Sequence, residues 1–471
     1  MTRWIAFSAQ KNTNHTRLGA MRSLGCRKVL CGCAFIQALS ASRSSKLSQT
    51  NSIFSGVVIW RRTQMARLLK LKGGQLTLAA TCLAILFTFG VTAWPQSPSI
   101  KIILTGQSMI RSDIRLYTPS IVSTMAPLLK GDVVFTNFEA TVAEKGQPNE
   151  TVPREGNSLA PPEAMDALVA LGFNMLALAN NHSWDLRVPG IQNTIQEANR
   201  RSLAHAGTGN TLEEATAPGF LRTPKGTVAL VAIASGLIRP GAPATPSRPG
   251  ENELRVAAGN KPNEEDAQRI VQSIRDASKR ADIVVVYQHN HVYDKPFGTI
   301  FAEELPDRLV PPDWIKKWAH TEIDAGAHIV VMHGAPVVQG VEIYHGRPIL
   351  YDLGNFIFNL PLTEATQLLE PIVWESVVAS VEFQGKNLRS VEFRPILLNQ
   401  MGQGQVDTQD DHPYSLPEFP RPFIATRGLP KPAMGEQATY ILQRLAELSR
   451  PFGTTVIVRG DTAEIDLKRG K

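Results

Sequence analysis

Short apolar runs that end abruptly in polar side chains recur along the chain. Met175-Leu-Ala-Leu-Ala179 runs straight into Asn180-Asn181-His182-Ser-Trp-Asp185. The same order, apolar then polar, occurs at Val133-Val-Phe-Thr-Asn137-Phe-Glu139 and at Ile283-Val-Val-Val-Tyr-Gln-His289-Asn-His291. It returns at Ile329-Val-Val-Met-His333-Gly and at Ile349-Leu-Tyr-Asp352-Leu-Gly-Asn355-Phe. Apolar runs without alternation predict parallel strands buried on both faces of an α/β sheet. Further strands are expected at Lys-Ile-Ile-Leu-Thr-Gly-Gln-Ser from Lys101 and at Val228–Ala234. Helical spacing is read over 114–129, 161–171, 188–202, 263–279, 312–325 and 435–449. Val373–Phe383 and Leu388–Leu397 read as an antiparallel pair turning at 384–387, and a short strand is expected at 454–458. Residues 236–262, rich in Pro and Gly, and residues 400–430 read as loops. No internal repeat is visible. The alternation of strand and helix predicts an α/β layered fold with a central β core.

Ligands of such folds sit beyond the carboxyl ends of the strands. Five strand ends that deliver Asn, Glu, Asp and His therefore point to one shared site. Each residue also has a plainer reading. Asn180-Asn181-His182 would make a turn and cap the next helix, and Glu139 would be a surface residue after its strand. His289 and His291, two apart on a strand, point to one face, either as a ligand pair or with one bonding the other's neighbour. Asp352 and Asn355 would shape the rim of the site. His205, His320, His328, His345 and His412 have no supporting cluster. A donor set of N and O atoms without Cys suits divalent Zn, Mn or Fe, as one ion or two. Such ions lower the pKa of a bound water and clamp a transferring phosphoryl or acyl oxygen, while a histidine outside the ligand set serves as general acid. A Ser-His-Asp hydrolase is disfavoured, because no Gly-x-Ser-x-Gly-like elbow is found.

Charge and cysteines sharpen the picture. The chain has 471 residues and a net charge of +7, but 13 of its 49 Lys and Arg fall in the first hundred residues, which hold no Asp or Glu. The rest carries 36 basic and 42 acidic residues, net −6. A mildly acidic body does not fit a nucleic-acid binder. Cys26, Cys31, Cys33 and Cys82 also lie in the first hundred residues, so the body has neither a disulfide nor a thiol nucleophile. Residues 1–64 read as disordered, or as a stretch upstream of the true start. Residues 65–96 read as a leader: Arg67, Lys70 and Lys72, an uncharged apolar run, then Val-Thr-Ala93 before Trp-Pro-Gln. Either a cleaved signal peptide or a retained anchor through 76–93 places the body outside the cytoplasm, periplasmic or secreted.

Taken together, Asp132-Val-Val-Phe-Thr-Asn137-Phe-Glu139, Leu178-Ala-Asn-Asn181-His182-Ser-Trp-Asp185, Arg248-Pro-Gly-Glu-Asn252-Glu-Leu-Arg255 and Val337-Val-Gln-Gly-Val-Glu342-Ile-Tyr344 with the following Ile349–Phe356 segment form a specific set. Over about residues 100–400 the chain resembles the CapA family, poly-γ-glutamate capsule biosynthesis proteins related to calcineurin-like metallophosphatases. The resemblance implies a four-layer α/β/β/α metallophosphatase-like sandwich, with residues 401–471 adding a loop, a helix and a short strand. It implies extracytoplasmic placement, a role in making or moving poly-γ-glutamate or capsule polymer, and contact with the membrane or the capsule-synthesis machinery. Glu139, Asn181, His289 and His333 match metal-binding positions, and His182, grouped here with Asp185, matches the acid that assists the leaving group. Asn137 and Asn180 would line the same site. The family's first strand usually ends in Gly-Asp, where this chain reads Gly106-Gln107, with Asp113 the nearest carboxylate. The family's Gly-His-His-Pro-His is here Met332-His333-Gly334-Ala335-Pro336, and its His-Trp-Gly is His289-Asn290-His291, which adds one imidazole. These departures imply a single-metal site or a rearranged pair using His291. Three functions follow: a metal-dependent hydrolase-like enzyme acting on an anionic polymer or peptide-like substrate, a non-catalytic polymer-binding protein with a degenerate site, or an epimerase-like peptide-modifying enzyme.

Overall fold

The computed structural model describes residues 98–143, 158–294, 305–359, 370–406 and 423–468. The segments 1–64 and 65–96 lie outside the described residues, so the expectations for them do too. The elements that carry the fold begin with β1 (Ser99–Met109), α1 (Ile121–Met125), β2 (Val133–Phe138), α2 (Pro162–Leu171), β3 (Met175–Ala177), α3 (Arg187–Arg200) and β4 (Ala204–Ala206). Next come β5 (Gly219–Thr223), β6 (Gly226–Ser235), α4 (Glu264–Arg280), β7 (Ile283–Asn290), α5 (Asp313–Ala325), β8 (Ile329–His333), β9 (Val341–Tyr344), β10 (Arg347–Leu350) and β11 (Asn355–Phe358). The chain closes with β12 (Glu375–Gln384), β13 (Asn387–Leu398), β14 (Pro430–Pro432), α6 (Gly435–Ser449), β15 (Val456–Arg459) and β16 (Thr462–Ile465).

The strands form two mixed sheets. A ten-stranded sheet runs β15-β16-β13-β12-β1-β2-β3-β4, with β11 beside β1 and β14 beside β13. A six-stranded sheet runs β9-β10-β8-β7-β6-β5. One core lies between them: Ile102, Leu104 and Phe135 of the first sheet pack with Leu230, Val285 and Val331 of the second, and the rings of Phe135 and Tyr287 meet at 5.6 Å. The outer face of the larger sheet is covered by α1 and α2 through Met125, Met165 and Leu168. The outer face of the smaller one is covered by α4 and α5 through Ile270, Ile274, Trp314 and Trp318. The layers are thus α/β/β/α. Apolar strands without alternation are the consequence, since both faces of each central strand are buried.

Local chemistry sets the helices. Asn263 caps α4 by accepting from Asp266 N at 3.1 Å, acids fill its first turn, and Lys279 and Arg280 stand at its last turn, the charge order the helix dipole favours. α6 seats Ile441, Leu442 and Leu445 in the core between the sheets, and β15 and β16 extend the larger sheet rather than standing apart from it.

Two sequence expectations are corrected. The helix expected over 114–129 is only Ile121–Met125. Residues 113–118 form turns, with Leu116 N donating to Asp113 O, because Pro119 disfavours the helical region at the residue before it. Residues 255–262 are largely exposed, as a surface loop would be, but the stretch from 239 to 254 packs inward. Arg239, Ala242, Glu251, Asn252 and Leu254 are buried, and Gly250–Glu251 pairs with Thr208–Gly209. Pro and Gly content reports lack of regular structure, not exposure. No helix among the described residues is long and apolar enough to cross a membrane.

Helix α5 also buries a carboxyl group. Glu322 is fully buried, neither of its oxygens has a hydrogen-bond partner among the described residues, and the indole N–H of Trp318 is given to Gln288 Oε1 at 2.9 Å. Burial pushes its pKa up from 4.5 to about 8. A carboxyl whose folded pKa lies above its unfolded value stabilises the fold while protonated, and that stability is lost as pH rises. We expect the wild-type protein to lose stability between pH 4.5 and about 8, by up to about 1.4 kcal/mol per pH unit from this group. Glu322→Met should flatten that decline, read as denaturant midpoints at pH 6 and pH 9. The remaining slope belongs in part to Glu251, whose pKa burial also raises to about 8. Parallel declines in the two proteins would show that Glu322 is solvated.

Candidate metal centre

The carboxyl ends of strands from both sheets meet at one edge. In the larger sheet Gln107 of β1 lies opposite Asn137 of β2 and Asn355 of β11. In the smaller sheet His289 of β7 lies opposite His333 of β8, in parallel register. Glu139 follows β2 directly and is held there by its N–H, which donates to Ser108 O at 3.1 Å. Past β3 the chain turns sharply, with Ser183 N donating to Asn180 O and Asp185 N to His182 O. Asn180 braces this turn. Its Nδ2 donates to Asn137 Oδ1 at 3.0 Å and Phe138 O at 2.9 Å, while its Oδ1 accepts from His182 N at 3.0 Å.

Glu139, His289 and His333 are buried and offer ligand atoms that all lie within 4.8 Å of one another. His289 Nε2 is 3.8 Å from Glu139 Oε1 and 2.9 Å from Asn181 Oδ1. Its other nitrogen, Nδ1, lies 3.1 Å from Tyr287 OH, which fixes the ring. His333 donates from Nε2 to Gly354 O at 2.7 Å. Its Nδ1 therefore keeps a lone pair, and that atom is buried without a partner among the described residues. His291, half-buried, brings its Nε2 to 2.9 Å from His289 Nε2.

The electrostatics suit a cation. Burial lowers the pKa of His289 well below the usual imidazole range, helped by His291, His333 and His182. Burial lowers that of His333 to about 3, so both rings are neutral and ready to ligate. Glu139 is raised well above the carboxylate range by burial and by the nearby Asp352 and Asp185 carboxyls. A divalent cation would reverse that penalty. An unpartnered imidazole nitrogen, a second imidazole, a carboxylate and an amide oxygen around one point match the donor chemistry of Zn, Mn or Fe.

A second pair stands beside this group. His182 Nδ1 is 2.8 Å from Asp185 Oδ2, and His182 Nε2 is 4.0 Å from Glu139 Oε1. Asp185, fully buried, also accepts from Ser158 N at 2.6 Å and pairs with Arg239 Nη2 at 2.6 Å. Asp352 lies beneath His333, with Oδ1 3.4 Å from its Nε2, and accepts from Ala335 N and Gly354 N. It holds the turn that carries His333, a deeper place than the rim. Asn355 donates to Val373 O at 3.0 Å and its Oδ1 accepts from Gln107 Nε2 at 2.6 Å.

One candidate residue is not brought to the cluster. Asp113 gives both carboxylate oxygens to the Arg115 guanidinium, at 2.8 and 2.7 Å, because the turn at 113–118 places them side by side. Arg239, Ser183 and Glu251 were not singled out from sequence. Glu251 sits inside the Arg248–Arg255 motif, which signals it, whereas Arg239 stands in a Pro- and Gly-rich run with no pattern to read.

The family described as Bacterial capsule synthesis protein PGA_cap matches residues 101–360. The chain belongs to this family. The PGA_cap match spans the stretch from Gln107 to Asn355, and the family is metallophosphatase-like, as the layered α/β fold is. The chain is 28% identical over 418 residues to the uncharacterized protein y4sH of Sinorhizobium fredii, covering 71% of this chain and 86% of that one. It is also 28% identical over 244 residues to the PGA biosynthesis protein CapA of Bacillus subtilis, covering 51% of this chain and 57% of that one. Among solved structures, a hypothetical protein from Thermus thermophilus aligns over 63% of this chain and 98% of its own, with TM-score 0.37 and 10% identity.

The structure also places the residues at which the resemblance implied departures from the family. Gln107 stands at the end of β1 with its amide N–H given to Asn355 and its Oε1 buried without a partner among the described residues. After His333 the chain turns at Gly334, which has φ +127 and lies against the backbone of Asn290. His291 fills space beside His289 from the same strand end.

Proposed function

We propose that this protein is an exported, metal-dependent hydrolase-like enzyme acting on poly-γ-glutamate or another anionic, peptide-like polymer of the cell envelope. The observation that carries this reading is the convergence of Glu139, His289 and His333 within 4.8 Å, beside the His182–Asp185 pair. Glu139, His289 through Nε2, His333 through Nδ1 and Asn181 through Oδ1 would hold one divalent ion, with His291 next to it. When bound, such an ion supplies Lewis acidity and lowers the pKa of a coordinated water. Asp185 orients the His182 ring through Nδ1, so that Nε2 faces the Glu139 side of the site and delivers a proton to the leaving group. Asp352 and Gly354 hold the ring of His333, and Tyr287 holds that of His289, as partners of metal ligands do. The mildly acidic body argues against nucleic acid as a partner, and the family resemblance supports work at the membrane or with capsule-synthesis machinery.

A second reading rests on Gln107. With an amide in place of a carboxylate, and with that amide tied to Asn355, one metal position is weakened, which favours a polymer-binding or assembly protein without turnover. Metal content separates the two. We expect mass spectrometry of the gently purified protein to find near-stoichiometric Zn, Mn or Fe in the wild type and a loss of at least tenfold in His289→Ala. A metal-free wild type would favour the binding reading.

A further inference from the structure

The ion pair between Arg239 and Asp185 joins two parts of the fold. Asp185 ends the turn that follows β3 of the larger sheet, and Arg239 lies four residues past β6 of the smaller one. The arginine is 4% exposed and the aspartate fully buried, and Nη2 stands 2.6 Å from Oδ1. The other oxygen, Oδ2, is shared by Ser158 N and His182 Nδ1. Oδ1 thus meets the guanidinium as an ion pair without hydrogen-bond geometry, Oδ2 carries the two hydrogen bonds, and the carboxylate that aims His182 is approached from three sides. The segment carrying Arg239 grips the same turn at two more points. Ser183 Oγ donates to Glu251 Oε2 at 2.9 Å, and Trp184 packs with Ala242 and Ile238 under the guanidinium of Arg248.

We infer that Arg239 is a positioning residue: through Asp185 it holds the imidazole of His182 in the orientation that turns Nε2 toward Glu139. A guanidinium suits this role. It is planar, permanently charged, and set against a carboxylate whose other oxygen is already committed, so the carboxylate cannot rotate. Without Arg239 the buried Asp185 loses its charge partner, and the Asp185–His182 hydrogen bond is no longer held in one geometry. The proton-donating role given to His182 rests on the proposed function; the contact between Arg239 and Asp185 does not.

The test uses the full-length protein labelled with ¹⁵N-histidine. The His182 Nδ1–H, bonded to a buried carboxylate, gives a far-downfield proton signal, assigned by its loss in His182→Gln and in Asp185→Asn. In Arg239→Gln that signal is expected to move upfield and exchange with water faster, while metal content stays at the wild-type level. Arg239→Lys, which keeps the charge but not the planar guanidinium, should give an intermediate exchange rate, and it decides the matter if Arg239→Gln does not fold. Where turnover is measurable, kcat should fall about 10–100-fold in Arg239→Gln with little change in KM, and recover in part in the lysine variant. An unchanged position and exchange rate of the signal in both variants overturns the role of Arg239 and leaves the metal reading standing. A wild type without metal overturns that reading and leaves the Arg239 result interpretable.

Discussion

His182→Ala is expected to slow hydrolysis by about 10²–10⁴-fold on a substrate with a poor leaving group, and far less on one with a good leaving group. The reason is where the proton goes. An alkoxide or amine leaving group needs protonation as its bond breaks, whereas a nitrophenolate does not. His182 is placed to deliver that proton, being held by Asp185 at 2.8 Å, buried, and 4.0 Å from the carboxylate of Glu139. It is not in the group of Glu139, His289 and His333 whose ligand atoms cluster. Metal content should therefore survive the substitution. The measurement is kcat/KM for the manganese-loaded protein on γ-glutamyl p-nitrophenyl and alkyl esters, wild type beside variant. An equal loss on both substrates would mean that His182 acts through binding or structure and not as an acid.

Much of this site was legible because strand ends carry their chemistry next to a strong apolar signal. The runs ending at Glu139, Asn181, His289, His333 and Asp352 could be read as strand-then-site, and the structure brings all five to one edge. What the residues alone could not say is that the strands belong to two sheets. A run such as Ile283–Tyr287 is buried on both faces in either arrangement, so its pattern carries no layer information. Helix α6 is another case. Its apolar stripe is clear, but nothing in it says that Ile441 and Leu445 enter the core between the sheets. The hairpin of β9 and β10 also went unread as such, because four-residue strands leave too few positions for alternation to show. The loop from 236 to 252 was the largest gap. It packs its polar residues inward, Arg239 onto Asp185 and Glu251 onto Ser183, and burial of polar groups against polar partners leaves no hydrophobic trace in the sequence. Polar groups at a functional site follow partners and not periodicity.

Gly106→Ala is expected to be the most damaging small substitution in the larger sheet, costing roughly 3 kcal/mol or more. Gly106 sits inside the register shift of β1 against β2, between Leu104 and Gln107, and just before the shift against β11, between Gln107 and Ser108. A Cβ there would fall 1.6 Å from Gly354 O and 2.6 Å from Gly354 C, which are backbone atoms that no rotamer change can clear. Relief requires β11 or the turn before it to move away from β1. That turn has a second duty, because Gly354 O is the acceptor that holds His333 Nε2 at 2.7 Å. The same displacement that strains the sheet also frees the ring of His333 and separates Gln107 from Asn355. Loss of stability and loss of metal should therefore appear together, read by denaturant midpoint and by metal analysis of the same sample. Gly259→Ala is the comparison: its φ is +76 but nothing lies within 4 Å of the added carbon, so it should cost only about 1–2 kcal/mol and leave the metal in place. A Gly106→Ala protein with the midpoint of the wild type would show that β1 and β11 can part without strain. A destabilised variant that keeps its metal would show that His333 does not depend on Gly354 for its place.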